Sequence, residues 1–321
     1  MIIPNKLKAG DEIRIIAPSR SASILSEEGI QTAKKRLVKM GFKVSFAEHI
    51  FECDIQNSSS IKHRLEDLHI AFTDPDVKGI LTVIGGFNSN ELLPYIDYEC
   101  IRQNPKVFCG YSDITAIGTA ITVKTGIITY SGPHFSSFQM DMLQEYQTDY
   151  FKKCLMQSHP YEISPSDYWS DDAWFLDQEK RQFHDVEWKT YNGGYAEGQL
   201  FGGNLCTINL LQGTSYMPNL EDRILFIEDD EMSTPETFSR DLCSLFQNIQ
   251  SIKGLVIGRF QRASKMTEEQ LLFILDKHLV LKSIPVIYEA DFGHTQPVIT
   301  FPIGGSAILD STNKEIRFTN F

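Results

Sequence analysis

A serine that could act as a nucleophile stands in the segment Gly110-Tyr111-Ser112-Asp113-Ile114-Thr115. A short apolar run, residues 107–109, precedes this segment, and a helix-like stretch, residues 114–123, follows Ser112. A serine on a sharp turn from a strand into a helix projects its hydroxyl above the sheet, beside the free N–H groups of the helix start. Because Thr115 replaces the second glycine of such motifs, a plain helix N-cap serine stays an even alternative.

A serine hydroxyl reacts only when a base takes its proton, and two downstream residues could supply this base and a carboxylate that orients it. His294 follows the strand-like residues 285–290, in a loop of the kind where α/β proteins carry catalytic groups. Glu228 ends the strand-like residues 224–227, which suits a carboxylate that orients a histidine. The alternative for His294 is a histidine that only packs, and the alternative for Glu228 is a solvated acidic loop. His63, His69 and His278 lie on helical stretches and are interpreted as surface or packing residues.

Two backbone N–H groups could stabilise the oxyanion that forms when a serine attacks a carbonyl. Gly85-Gly86 ends the apolar residues 79–84, the strand that comes before the one leading to Ser112. If these strands are neighbours, the N–H groups of Gly86 and Asp113 would form a two-donor oxyanion hole. A simple glycine turn is the alternative.

The elements that must position these residues alternate between strands and helices in the first half of the chain. Apolar spacing predicts helices over residues 30–40 and 60–72. Strands are predicted at residues 12–17, 43–46, 79–84, 107–110 and 127–130. Alternation of this kind predicts a parallel sheet flanked by helices.

The alternation stops at about residues 140–195, a polar and aromatic stretch that contains Trp169, Trp174 and Trp188. So many aromatic side chains predict an ordered loop and not a disordered linker. From residue 198 onward, strands are predicted at 224–228, 254–259 and 285–290, with a helix at 267–279. We therefore divide the chain into residues 1–160 with the serine, 161–197 as a tryptophan-rich substrate loop or linker, and 198–321 with the glutamate and the histidine.

Composition narrows the class of protein. The net charge is −12, which argues against nucleic acid as a partner because phosphate binding needs clustered Lys and Arg. The sequence shows no secretory apolar segment and no apolar run long enough to span a bilayer, so we expect a cytoplasmic protein with no membrane partner. No metal site is predicted from the cysteines, which are scattered without metal-ligand spacing at Cys53, Cys100, Cys109, Cys154, Cys206 and Cys243.

Five motifs, in the same order along the chain as in that family, resemble the LD-carboxypeptidase family of serine peptidases. They are Gly85-Gly86, Gly110 to Thr115, Gly202-Gly203-Asn204-Leu205, Phe226-Ile227-Glu228-Asp229 and Gly293-His294-Thr295-Gln296-Pro297. The resemblance implies a catalytic triad of Ser112, Glu228 and His294, with Gly86 and Asp113 as oxyanion donors. It also implies an N-terminal Rossmann-like (flavodoxin-like) parallel-sheet domain, a C-terminal β-rich α/β domain, a homodimer, and activity without a metal or cofactor.

The family's two main branches imply two substrates. One cleaves the L,D-peptide bond before the terminal D-Ala of murein tetrapeptides, and the other, the microcin C self-immunity branch, cleaves the amide between an aminoacyl group and a nucleotide-like group. The segment of residues 159–174 resembles the second branch, in which a tryptophan stacks on the nucleobase. Trp174 is the first candidate for this role and Trp169 the second, with pinning of the loop as the alternative for both; Gly85 and Asn204 are further substrate-binding candidates.

One departure concerns the acidic segment after Glu228. Some microcin-type members have a lysine a few residues after the catalytic acid, whereas this chain reads Asp229-Asp230-Glu231-Met232. From the motifs together we predict a serine carboxypeptidase-type hydrolase that cleaves an amide bond of a small peptide or peptidyl-nucleotide substrate. A microcin C-like compound is the first candidate, and a murein tetrapeptide is the alternative. A non-catalytic module that binds a nucleotide or peptide is the alternative from another class.

Overall fold

The computed structural model describes residues 1–247 and 249–321. The strands of the first half are β1 Glu12–Ile16, β2 Lys43–Phe46, β3 Val77–Thr82, β4 Val107–Cys109 and β5 Thr129–Ser131. Those that follow are β6 Tyr161–Ile163, β7 Tyr168–Trp169, β8 His184–Asp185, β9 Lys189–Asn192, β10 Tyr195–Asn204, β11 Ile224–Glu228, β12 Gly254–Gly258, β13 Val286–Ala290, β14 Phe301–Ile303, β15 Ser306–Asp310 and β16 Glu315–Asn320. The α-helices are α1 Glu27–Lys39, α2 Ile61–Thr73, α3 Tyr98–Gln103, α4 Thr115–Thr125, α5 Gln144–Met156, α6 Leu205–Asn209, α7 Pro235–Phe246 and α8 Glu268–Asp276.

The first sheet has the strand order β14-β5-β4-β3-β1-β2, and its strands β1 to β5 are parallel. This arrangement confirms the predicted Rossmann-like parallel sheet with helices between its strands. Strand β3 ends at Thr82, two residues before its predicted end, because its partner β1 ends at Ile16, which pairs with Thr82. Val83 still donates to the Ile16 carbonyl at 2.8 Å, and residues 84–86 lie beyond the sheet, where they line a cleft.

The second sheet has the order β6-β16-β15-β10-β11-β12-β13-β9. Its central strands β10 to β13 are parallel, and antiparallel strands flank them on both sides. This sheet confirms the predicted β-rich α/β C-terminal half. Strands β6 and β9 form its two edges, so the segment 161–197, predicted as a loop, also supplies regular structure.

The two sheets share one stretch of chain. Strand β14 lies in the C-terminal half of the sequence, yet it pairs antiparallel with β5 at the edge of the first sheet. Its Phe301 packs against Phe226 of β11 and Phe292, which places aromatic core between the two sheets. The predicted division at residues 160 and 198 stays a prediction.

Local sequence signals account for the ends of several helices. Ser26 caps α1, with Glu27 and Glu28 in its first turn and Lys39 in its last, which suits the helix dipole. Helix α8 begins after a capping box formed by Thr267 and Gln270 and ends at Asp276, three residues before its predicted end. No helix in residues 1–247 and 249–321 has the length and apolar character needed to cross a membrane.

Candidate active site

Ser112 lies on the turn between β4 and α4, at the first residue of a short 3-10 turn, Ser112–Ile114. Its φ of 59° is in the left-handed region, where a non-glycine residue is uncommon and strained. An N-cap serine has extended backbone angles, so this conformation favours the strand-to-helix elbow over a simple cap. The turn directs the hydroxyl away from the helix and toward His294.

His294 lies between Ser112 and Glu228, although the three residues are spread over most of the chain. Its Nε2 is 3.0 Å from the Ser112 Oγ, and its Nδ1 is 2.7 Å from an Oε2 of Glu228. A carboxylate only accepts hydrogen bonds, so Nδ1–H donates to Glu228 and Nε2 is left to accept from the serine hydroxyl. The structure thus brings together the serine, the histidine and the carboxylate that the sequence singled out.

The surroundings of this histidine affect its pKa in opposite directions. Burial is the largest single effect and lowers the pKa of His294, but the charge and hydrogen bond of Glu228, together with the charges of Asp230 and Asp229, outweigh it. The net pKa is raised above its usual value of 6.5. Glu228 itself is only 2% exposed, at the end of β11, so it holds the imidazole from inside the protein.

Gly85 and Gly86 form the wall of the site beside the serine. A Cβ on Gly85 would lie 3.1 Å from the Ser112 Oγ, and one on Gly86 would lie 2.2 Å from the Ser19 Oγ. Within the described part of the chain, the N–H groups of Gly86 and Asp113 donate to no other backbone group, so both remain available to a ligand. These are the two N–H groups predicted for the oxyanion hole.

The Asp113 carboxylate fixes the loops around these N–H groups. It is buried, and its Oδ2 accepts hydrogen bonds from the Ser19 Oγ at 2.5 Å, from the Ser89 N–H at 3.0 Å and from the Asn88 N–H at 3.1 Å. The loops after β1 and β3 are therefore tied to the residue that follows Ser112. This network limits motion in the region that would hold a substrate carbonyl.

A cleft of about 550 Å³ opens above Ser112 and His294. Gly85 and Trp174 line it, as do the acidic residues Asp230 and Glu231. The parallel strands of both sheets point their carboxyl ends at this cleft, which is where open α/β sheets bind ligands. The structure therefore places two of the four predicted substrate-binding residues, Gly85 and Trp174, on the cleft.

The other two candidates lie elsewhere. The Trp169 ring lies 5.1 Å from the guanidinium of buried Arg259 and 4.9 Å from the ring of His184, to which it is tilted by 41°; these contacts suit a side chain that pins the loop. Asn204 is buried and uses its side-chain oxygen to cap α6 by accepting from the Thr207 N–H at 3.1 Å. Neither lines the cleft in the described residues, and their roles in substrate binding stay predictions.

The segment that carries Trp174 is held against the loop that carries His294. Ser170 and Gln296 exchange two backbone hydrogen bonds, of 2.9 and 2.8 Å. Arg262 donates to Asp171 at 2.7 Å and to Asp172 at 3.0 Å, which fixes the next two residues of the segment. The tryptophan segment is thus ordered, as its aromatic content predicted.

The sequence reasoning missed several cleft residues, of which a histidine and an arginine bear most directly on the chemistry. His134 follows β5 and is buried; its Nδ1 lies 2.8 Å from the Thr82 Oγ1, and its Nε2 has no partner in the described residues. Burial, followed by the nearby charge of His294, lowers the pKa of His134 to about 3, so its ring is neutral. Arg20 follows β1 and is the only arginine or lysine among the described residues that line the cleft. Both follow strands of the first sheet, so the strand-end rule applied to His294 would have found them.

Comparison with known proteins agrees with this architecture. The LD-carboxypeptidase N-terminal domain matches residues 13–132, and the LD-carboxypeptidase C-terminal domain matches residues 197–309. Putative carboxypeptidase YocD of Bacillus subtilis is 51% identical over 98% of this chain and 97% of its own length.

Solved structures give the same result. An MccF-like protein from Bacillus anthracis, 51% identical, matches with a TM-score of 0.97 over 100% of both chains. MccF in complex with glutamyl sulfamoyl guanosine, 31% identical, matches with a TM-score of 0.89 over 99% of this chain and 98% of that one.

A two-sheet α/β protein whose matched domains are those of carboxypeptidases is a hydrolase of the peptidase class. More closely, the chain belongs to the LD-carboxypeptidase family, peptidase family S66, as its motifs predicted.

Proposed function

We propose that this protein is a serine carboxypeptidase in which Ser112 is the nucleophile, His294 the general base and acid, and Glu228 the group that orients the histidine. The observation that carries the proposal is a chain of two hydrogen bonds, 3.0 Å from Ser112 to His294 and 2.7 Å from His294 to Glu228, which makes these residues a candidate catalytic triad. Serine, histidine and a carboxylate in this order form the catalytic arrangement of many unrelated hydrolases.

The reaction follows from the positions of these groups. His294 Nε2 takes the proton as the Ser112 Oγ bonds to the scissile carbonyl carbon, and the oxyanion that forms accepts from the Gly86 and Asp113 N–H groups. His294 then gives its proton to the leaving nitrogen as the C–N bond breaks. Water, deprotonated by the same histidine, attacks the acyl ester and releases the carboxylic acid and free Ser112.

For the substrate we propose an aminoacyl group joined through an amide to a nucleotide-like group. The relative MccF has been crystallised with glutamyl sulfamoyl guanosine, and in this chain Trp174 offers an aromatic face on the cleft. The cleft also has Arg20 among its lining residues, and Asp230 and Glu231 from the loop after β11. That distribution suits a ligand with one anionic group and one amino group. We propose further that the protein acts as a homodimer in the cytoplasm.

A substrate comparison tests this proposal. We expect higher kcat/KM for an aminoacyl sulfamoyl adenosine than for an L,D-murein tetrapeptide. Replacement of Trp174 by alanine should raise KM for the nucleotide compound by about 10-fold, because base stacking on an aromatic ring contributes about 1–3 kcal/mol. Steady-state kinetics with both substrates measure this, and Trp169→Phe, outside the cleft, is the matched control. A wild-type preference for the tetrapeptide would select the murein alternative.

Arg20 leads to a separate prediction. Residues 229–232, directly after Glu228, include no lysine, so among the described residues that line the cleft Arg20 is the cation available to an anionic substrate group. Replacement of Arg20 by glutamine should raise KM by about 10-fold or more, because hydrogen bonds to charged groups contribute about 1.5–3 kcal/mol. The same kinetics with a neutral analogue of the substrate should show little change, and Arg20→Lys should recover part of the loss. Equal losses on charged and neutral substrates would contradict this role.

A further inference from the structure

A second group of chemically reactive side chains lies outside the cleft, where the loop after β2 meets the start of α2. The Glu52 carboxylate accepts from the Nδ1 of His49 at 2.9 Å and from the Nδ1 of His63 at 2.6 Å. The two imidazole rings stack with their centres 4.0 Å apart and an angle of 12° between their planes. None of these residues belongs to the proposed catalytic triad or lines the cleft.

The three side chains have the composition and the proximity of a metal site. One ligand atom from each of His49, Glu52 and His63 can be chosen so that all lie within 4.8 Å of one another. Two imidazoles and a carboxylate are ligands that Zn²⁺ accepts, with water in the fourth position. At present the two Nδ1–H groups occupy the Glu52 oxygens, and a metal ion would replace this pair of hydrogen bonds.

The surrounding charges favour a cation. Glu66 Oε2 lies 3.8 Å from the Nε2 of His49, and the Asp67 carboxylate accepts from the His49 backbone N–H at 3.2 Å. When Nδ1 of His49 binds a metal, the ring proton resides on Nε2, and a movement of less than 1 Å would let the Glu66 carboxylate accept a hydrogen bond from it. Metal-bound histidines commonly have such a carboxylate behind the ring, which fixes the tautomer.

We propose that His49, Glu52 and His63 bind one divalent transition-metal ion of the Zn²⁺ class, with Glu66 as the supporting carboxylate. Because the two rings are stacked 4.0 Å apart, binding requires loss of the Nδ1 protons and rotation of one ring until both Nδ1 atoms are about 2.0–2.1 Å from the ion. His63 is the partner with room to turn, since a third of its side chain is exposed (33%, against 14% for His49).

The site would close the loop of residues 50–60 against α2. That loop supports the cleft wall: the Asn57 carbonyl accepts from the Ser21 N–H at 2.8 Å, and the Ser58 Oγ donates to the Ser19 carbonyl at 2.5 Å. A bound ion would therefore stabilise the part of the cleft wall that carries Arg20, without contact with the proposed catalytic triad. The inference does not depend on the proposed substrate.

Titration of the purified protein with Zn²⁺ and with Co²⁺ tests the site. We expect one equivalent bound with a micromolar Kd, a rise in Tm on Zn²⁺ addition, and a visible Co²⁺ spectrum of nitrogen and oxygen ligands. His49→Asn and His63→Asn should each weaken binding at least 30-fold and abolish the rise in Tm, while exposed His159→Asn should behave as wild type.

Two results would overturn the inference. One is Zn²⁺ binding of equal strength in the wild type and both histidine variants, or a wild-type Kd for Zn²⁺ more than 100-fold above the expected micromolar value. The other is a near-ultraviolet thiolate-to-cobalt band, which would assign the ion to the exposed thiols of Cys53, Cys206 or Cys243. A circular dichroism spectrum of each variant without metal distinguishes lost ligands from lost folding.

Discussion

Replacement of Ser112 by alanine is expected to lower kcat by about 10⁴-fold or more, as removal of the nucleophile does in other serine hydrolases. The variant keeps the β-carbon beside Gly85 and loses only the hydroxyl that lies 3.0 Å from His294 Nε2. Because the only group that loses its protein partner is the Nε2 of His294, which faces the cleft, Tm should stay near the wild-type value. Steady-state turnover of an aminoacyl sulfamoyl adenosine and a thermal melt measure the two quantities.

Ser137→Ala is the matched control, since Ser137 also lines the cleft but does not belong to the proposed catalytic triad. The kcat of this variant should stay within a few-fold of wild type. A serine-directed phosphonate should label wild-type protein at Ser112 and leave the alanine variant unlabelled. Near-normal activity of the Ser112 variant would end the proposed mechanism. An unlabelled wild type that still binds the nucleotide compound tightly would instead favour the non-catalytic binding module.

Replacement of Glu228 by glutamine is expected to lower kcat by about 10³–10⁴-fold, because an amide in this position permits the wrong tautomer of the histidine. It should also shift the pH dependence of the remaining activity. The base must be neutral, so wild-type kcat rises with pH through the pKa of His294, which lies above 6.5. Glu228 is the main group that raises this pKa against burial, and its loss should move the acid limb to lower pH.

Profiles of log kcat against pH for the wild type and Glu228→Gln measure this shift. Asp230→Asn is the control: Asp230 also raises the pKa of His294 but does not contact the ring, so we expect a small shift in the same direction with kcat nearly unchanged. An acid limb that moves to higher pH in Glu228→Gln, or a kcat within tenfold of wild type, would contradict the orienting role.

The turn at Ser112 could be predicted because its signals are local. An apolar run, a glycine and a helix-forming stretch lie within about twenty residues, and the structure has β4, the turn and α4 in that order. Glu228 and His294 could each be placed at the end of a strand for the same reason. Their meeting with Ser112 could not be predicted from local pattern, because it depends on how the second sheet packs against the first and on the return of β14 to the first sheet.

The tryptophan segment shows the limit of local pattern more clearly. Trp169 and Trp174 have the same side chain and lie five residues apart, yet one packs on Arg259 and the other lines the cleft. The difference comes from partners distant in sequence, chiefly Gln296 and Arg262, which fix the direction of the chain between the two tryptophans. Arg259 and Arg262 carry no feature in the sequence that would reveal these pairings.

The paired backbone of Ser170 and Gln296 has a consequence for how binding affects the reaction. Gln296 lies two residues after His294, so a ligand that orders the segment around Trp174 also orders the peptide that carries the base. Attraction for a part of the substrate that does not react can then appear as a faster chemical step and not only as tighter binding. In such an enzyme a fragment without the nucleobase-like group would bind near Ser112 and turn over more slowly, so part of the selectivity would reside in kcat in addition to KM.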